Sequence, residues 1–146
     1  MPGYNGIMQT LERRVAVWEW DVEKVRRALD AGVLSGDERL ELIEGELVEK
    51  MPQSDYHQAL LSFLSEAMRS LFAPEAFVLT GGAIRLDGKS EPEPDIAVVR
   101  GTPADHFGGK PGPDDVLLLV EISQSSRAYD LGEKKATYAR YGIKEY

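Results

Sequence analysis

A single α/β domain is predicted by three features of this chain: one long amphipathic helix near residues 55–72, several apolar runs of strand length around it, and a closing helix after the most apolar run. The 146 residues suffice for one compact core. Apolar residues make up 42% and charged residues 29%, which is ordinary for a folded globular chain and unlike a disordered one. Residues 1–15 read as a flexible N-terminal tail and residues 16–146 as the domain.

Asp21 is placed to cap a first helix running to Ala31, with Val22, Val25, Ala28 and Leu29 on one side and Gly32 as its stop. The run RLELIEGELVEKM then reads as a β-hairpin turning at Glu44-Gly45. Ser54 caps the long helix, whose face should carry His57, Leu60, Leu61, Leu64, Met68, Leu71 and Phe72. FVLT and AIRL are short strand candidates on either side of Gly81-Gly82. IAVV (96–99) and VLLLVEI (116–122) follow; the second is apolar on both faces and so is expected at the sheet centre. Between them GTPADHFGGKPGPD is a loop whose glycines lack phosphate-loop spacing. The last helix should run from Asp130 to Tyr141, with Leu131, Lys134, Tyr138 and Tyr141 facing the sheet. Beyond Gly142, the residues Ile143–Tyr146 stand where a further strand would be natural.

Several function classes are excluded or disfavoured by composition. With no cysteine there is no disulfide, thiolate zinc site or cysteine nucleophile. No apolar run reaches the roughly 18–20 residues of a membrane helix, and the first residues do not have the pattern of a secretory signal, so a cytoplasmic setting is expected. The net charge of −8 weighs against a nucleic-acid partner, which usually meets a basic surface, although it leaves room for a local basic patch.

Chemistry is expected from residues far apart along the chain. Asp95 opens one strand and Glu121 closes another; if the two strands are antiparallel neighbours, both carboxylates lie at one rim of the sheet. Paired carboxylates repel unless a cation or a proton lies between them, and hard oxygen donors suit magnesium or manganese. Glu121 follows five apolar residues, so its charge needs a partner. Lys134 on the last helix can supply one, with Lys135 as its neighbouring rival. His57 is expected as a hydrogen-bonded residue at the core edge, and His106 as a solvated one. Glu41, Glu44 and Glu46 crowd the hairpin, where one of them can reach the site. Ser123, Ser125 and Ser126 are accounted for as capping residues between strand and helix.

The stretches ELIEGELVEKMP (41–52), the helix with His57, EPDIAVV (93–99) and VLLLVEISQSSRAYDLGEKKATYARYGIKEY (116–146) resemble the Uma-two family of the restriction-endonuclease-like, PD-(D/E)XK, superfamily. The most specific part is E-[IV]-x-x-S-S-x-A-Y-D-x-G-x-K, and the resemblance covers roughly residues 17–146. It implies a restriction-endonuclease-like core in which a central mixed sheet is flanked by helices, preceded here by the N-terminal helix and hairpin. It places metal-binding acids at Asp95 and Glu121 and moves the usual strand lysine onto the next helix, at Lys134, because Glu121 is followed by Ile122 and Ser123. Glu41 and His57 also fall at positions typical of the family. Two departures stand out: Gln124 occupies a loop position where relatives often carry an acid or proline, and the chain stops where relatives continue into another strand.

The resulting expectation is an endonuclease hydrolysing DNA phosphodiesters with Mg2+ or Mn2+ held by Asp95, Glu121 and the backbone carbonyl of Ile122, with Lys134 and Glu41 completing the catalytic set. Two cuts on duplex DNA need two sites, which makes a homodimer one expected assembly. Two other readings compete: a nuclease-fold module that binds a partner without turnover, which the acidity favours, and a metal-dependent hydrolase of small phosphate esters.

Overall fold

The computed structural model describes residues 16–123 and 127–146; residues 1–15, read above as a flexible tail, and the capping candidates Ser125 and Ser126 lie outside them. Asp21 accepts a hydrogen bond from the Lys24 N–H and starts α1, Val22–Asp30. Gly32 follows in the left-handed region (φ +69°), which glycine adopts without a Cβ clash. Strands β1 (Leu40–Ile43) and β2 (Glu46–Glu49) pair antiparallel as expected. Their two-residue turn has positive φ at both Glu44 (48°) and Gly45 (85°), whose sense matches the twist of the paired strands.

Ser54 accepts from the His57 N–H and caps α2, Asp55–Phe72. Leu61, Leu64, Met68 and Phe72 pack on the sheet with Ile96 and Val98, whereas Leu71, expected inside, is 72% exposed. The main sheet has the order β3 (Ala76–Thr80), β4 (Ile96–Arg100), β5 (Val116–Val120), with both pairings antiparallel. Among the described strands β4, and not the VLLLV strand, is the central one, and its first four residues are buried. Next to β5, the Leu119 N–H donates to the Glu145 carbonyl. All strand pairings among the described residues are antiparallel, so they do not include the parallel pairing of the mixed sheet implied by the resemblance.

AIRL is not a strand. Ile84 and Leu86 do bury their side chains, and their amides donate to Pro92 and Ser90 carbonyls. Pro92 and Pro94 on the returning segment have no N–H, so no ladder can close there. The loop before β5 forms two short 3-10 turns, Pro103–His106 and Pro113–Asp115. His106 is half-buried rather than simply solvated, with its ring centroid 5.7 Å from that of Phe77.

The final helix, α3, covers residues 127–140 and so begins earlier than expected, in three segments: α at Arg127–Tyr129, π at Asp130–Lys134 and α at Lys135–Arg140. The wider π turn advances less per residue than an α turn, which rephases the buried stripe. Asp130, Lys134, Thr137 and Tyr138 are buried, while Leu131 is 55% exposed. α2 covers one face of the sheet, and α3 with the Ile84–Leu86 segment covers the other.

Candidate active site

Pro94 ends what precedes β4, and Asp95 is the first residue after it able to donate from its backbone. The β4–β5 ladder ends at Ile96 opposite Val120. Side chains extend it by one step in each direction: the Asp95 N–H donates to Glu121 Oε2 (3.4 Å), and the Ile122 N–H donates to Asp95 Oδ2 (2.7 Å). Antiparallel register therefore brings together two acids that are 26 residues apart, at the sheet rim where they were expected.

α2 aims His57 at the same point. Its cap at Ser54 fixes the first turn, so His57 Nε2 lies 3.0 Å from Asp95 Oδ1, with the Gln53 amide at 3.5 Å. The hairpin contributes Glu41, whose Oε2 accepts from the Glu93 N–H at 3.0 Å. From α3, Lys134 Nζ reaches Glu121 Oε1 at 2.7 Å and Glu41 Oε1 at 3.1 Å. These three side chains are 8% exposed or less. The rival Lys135 is exposed. Of the other hairpin acids, Glu44 pairs with Arg140 and accepts from Thr137, and Glu46 is exposed.

The π turn explains why Lys134 points inward. It sets Asp130 and Lys134 on one side, and Asp130 is held by the Ser123 hydroxyl at 2.6 Å. Tyr138, the next buried residue of the stripe, donates its hydroxyl to Glu121 Oε1 at 3.0 Å. Burial pushes Glu121 up to about 7, with Lys134 pulling the other way and the Asp95 and Glu41 charges adding to the rise. Burial works against the Lys134 ammonium as well, but Glu121 and Glu41 outweigh it and hold its pKa above the ordinary value. Tyr138 is raised by burial and by Glu121, so it remains a hydroxyl donor at neutral pH.

Glu41, Asp95, Glu121 and Lys134 line one cavity of about 250 Å3, together with His57, Ile122 and Tyr129 among others. With all four charged groups ionised, three carboxylates face one ammonium and leave two negative charges. Among the described residues, no group of three His, Asp or Glu side chains forms a ready-made metal cage. Tyr129 had no role in the sequence reading. Its buried hydroxyl has no hydrogen-bond partner, and burial, reinforced by Glu41, pushes its pKa up to about 12. The Ala-Tyr-Asp triplet of the motif was the available signal for it. Arg39 and Lys50 at the cavity wall were also missed; Lys50 bonds the Glu93 carbonyl at 2.9 Å.

Residues 23–146 match a family model described as "Putative restriction endonuclease". The chain belongs to the Uma2 family. A solved structure similar to this Uma2 chain is titled as "a putative nuclease belonging to DUF820" from Anabaena variabilis, with 17% identity and a TM-score of 0.51. The alignment covers 70% of this chain and 62% of that one, so the chain spans about three fifths of its neighbour's length. At that identity the likeness shows the fold, a nuclease-like α/β architecture. No curated protein matches the chain. Among the described residues of this Uma2 member, no helix is long and apolar enough to cross a membrane.

Proposed function

We propose that this Uma2 protein is a divalent-cation-dependent endonuclease that hydrolyses DNA phosphodiesters in the cavity between the hairpin, the sheet rim and α3. The observation that carries the reading is the buried Glu41–Lys134–Glu121 cluster beside Asp95. An ammonium is held there beside the acids that would receive a cation, an arrangement suited to stabilising charge that gathers on a phosphate.

The donor set fits magnesium or manganese. Magnesium is commonly bound through one or two carboxylates, with waters and substrate oxygens filling the other positions, so a complete protein cage is not needed. The unpaired Tyr129 hydroxyl and the two surplus negative charges also favour a bound cation–phosphate pair. Asp95, Glu121 and the Ile122 carbonyl would hold the ion, which when bound polarises the phosphate and acidifies a water. Asp95 is kept in orientation by the Ile122 amide and by His57. Glu41 fixes the Lys134 ammonium, which orients the attacking water and stabilises charge gathering on the phosphate oxygens. Tyr138 restrains Glu121 by donating to Oε1, the oxygen that Lys134 also holds.

Nicking of supercoiled plasmid in Mg2+ and in Mn2+ tests this reading. Loss of one such stabilising group lowers turnover by about 10²–10³-fold in comparable sites; Lys134→Ala should show a loss of that order, and EDTA should abolish cutting. Wild-type protein that hydrolyses only small aryl phosphate diesters would move the reading to the ester hydrolase. Wild-type protein that cuts nothing, yet binds DNA, would leave a binding module, the reading that the net charge of −8 favours.

A further inference from the structure

Tyr129, Tyr138, Tyr141 and Tyr146 lie on α3 or just after it, and all but the first have a hydrogen-bond partner for the hydroxyl. Tyr138 donates to Glu121 Oε1 at 3.0 Å, Tyr141 to Asp87 Oδ2 at 2.5 Å and Tyr146 to the Asp130 carbonyl at 2.7 Å. The Tyr129 hydroxyl is buried, and among the described residues nothing bonds to it. Ser65 has the other buried hydroxyl without a partner, but it does not line the catalytic cavity, whereas Tyr129 does.

The acids that act on Tyr129 are already engaged. Glu41 holds Lys134 through Oε1 (3.1 Å) and the Glu93 N–H through Oε2 (3.0 Å), and Asp130 Oδ2 accepts from Ser123. Burial, with Glu41 next in weight, pushes Tyr129 up to about 12, so at neutral pH it is an uncharged O–H donor. A buried donor left unpaired costs stability, and such groups are rare enough to call for a reason. Its place in α3 supplies one. Tyr129 precedes Lys134 by five residues, and the π segment Asp130–Lys134 bonds with an i→i+5 step, so the two stand one turn apart and both reach the cavity. Lys134 is committed to Glu121 and Glu41, which leaves Tyr129 as the uncommitted donor of the pair.

We propose that Tyr129 is a substrate-contacting residue: its hydroxyl donates to a non-bridging oxygen of the phosphodiester bound beside the cation, and it takes no part in holding the cation itself. This rests on the nuclease reading for the presence of a phosphodiester and adds the side chain that grips it. A phosphate oxygen is the acceptor that fits, because it arrives with the cation and its charge strengthens the hydrogen bond. A second ammonium at this position would compete with the cation for the acids. An uncharged hydroxyl binds the phosphate without that opposition.

Tyr129→Phe removes one oxygen and keeps the ring, and three measurements on the full chain separate its roles. Without metal, the melting temperature of the variant should equal or exceed that of the wild type, since an unpaired buried hydroxyl has been removed. Titration calorimetry with Mg2+ alone should give the wild-type affinity. In saturating Mg2+, dimethyl phosphate should raise the melting temperature of the wild type, and its apparent affinity should be about tenfold weaker in Tyr129→Phe. These readouts are independent of cutting: a wild type that cleaves no DNA yet binds dimethyl phosphate through Tyr129 sinks the nuclease reading and keeps this one. A lower melting temperature of the metal-free variant would mean that the hydroxyl is bonded in the free protein. A weaker Mg2+ affinity would place it in the shell of the cation. Dimethyl phosphate that binds both proteins equally, or does not bind the wild type, would leave the phosphate without this contact. Each of these three results overturns the proposal.

Discussion

Replacing Lys134 by Met removes the ammonium from between two carboxylates and leaves most of the side-chain volume in place. Lys134 Nζ sits 2.7 Å from Glu121 and 3.1 Å from Glu41, and all three side chains are almost withdrawn from water. Breaking a buried ion pair by deleting one partner costs about 3–5 kcal/mol, because the remaining charge stays buried and uncompensated. At roughly 2–4 °C per kcal/mol for a chain of this size, the melting temperature should fall by roughly 6–20 °C at pH 8. The loss should shrink on acidification. Without the ammonium, Glu121 loses the charge that pulls its raised pKa down, so its protonation relieves the mutant, and relieves it more as pH falls toward 5. Lys134 itself has a raised folded-state pKa, so its contribution in the wild type is fully present below about 10.5 and does not vary over this range. Circular-dichroism melts of both proteins at pH 8 and pH 5.5 measure the difference. A loss under about 1 kcal/mol at pH 8, or an equal loss at both pH values, would refute the account of a buried ammonium compensating these carboxylates.

Other expectations follow from the same geometry. Glu121, raised to about 7 from its ordinary 4.5, binds more protons when folded than unfolded, so wild-type stability should decline as pH rises from about 4.5 to 7. The decline attributable to this one group is about 3 kcal/mol, and Glu121→Gln should flatten it in urea-unfolding titrations; an unchanged slope in that variant would assign the decline elsewhere. Magnesium or manganese at about 100 times its dissociation constant should stabilise the wild type by about 2.7 kcal/mol, and Asp95→Ala should remove that thermal shift. If Asp95→Ala is stabilised by metal as strongly as the wild type, the cation is not held at this rim.

The sequence by itself determined the local elements. Periodicity and a serine cap defined α2 to the residue, and the Glu44-Gly45 pair defined the hairpin turn, because both depend on interactions within a few positions. It also pointed to Asp95, Glu121 and Lys134 as groups needing partners, since a charge next to an apolar run states its own electrostatic problem. Where local pattern and long-range pairing disagree, pattern fails. AIRL has the alternation of a strand, but Pro92 and Pro94 opposite it cannot donate, so only the partner segment decides its state. VLLLV is apolar enough for a sheet centre, yet the pairing order places IAVV there. Likewise the α-period predicts Leu131 inside together with Lys134, and a π turn, visible only in the folded backbone, turns Leu131 out while Lys134 stays buried. The resemblance already named Lys134 and Glu41, but that both close on one cluster with Glu121, while Lys135 and Glu46 stay exposed, required the same information. Each of those choices is a distance between atoms contributed by separate elements, and such distances are created by packing rather than by any local property of the chain.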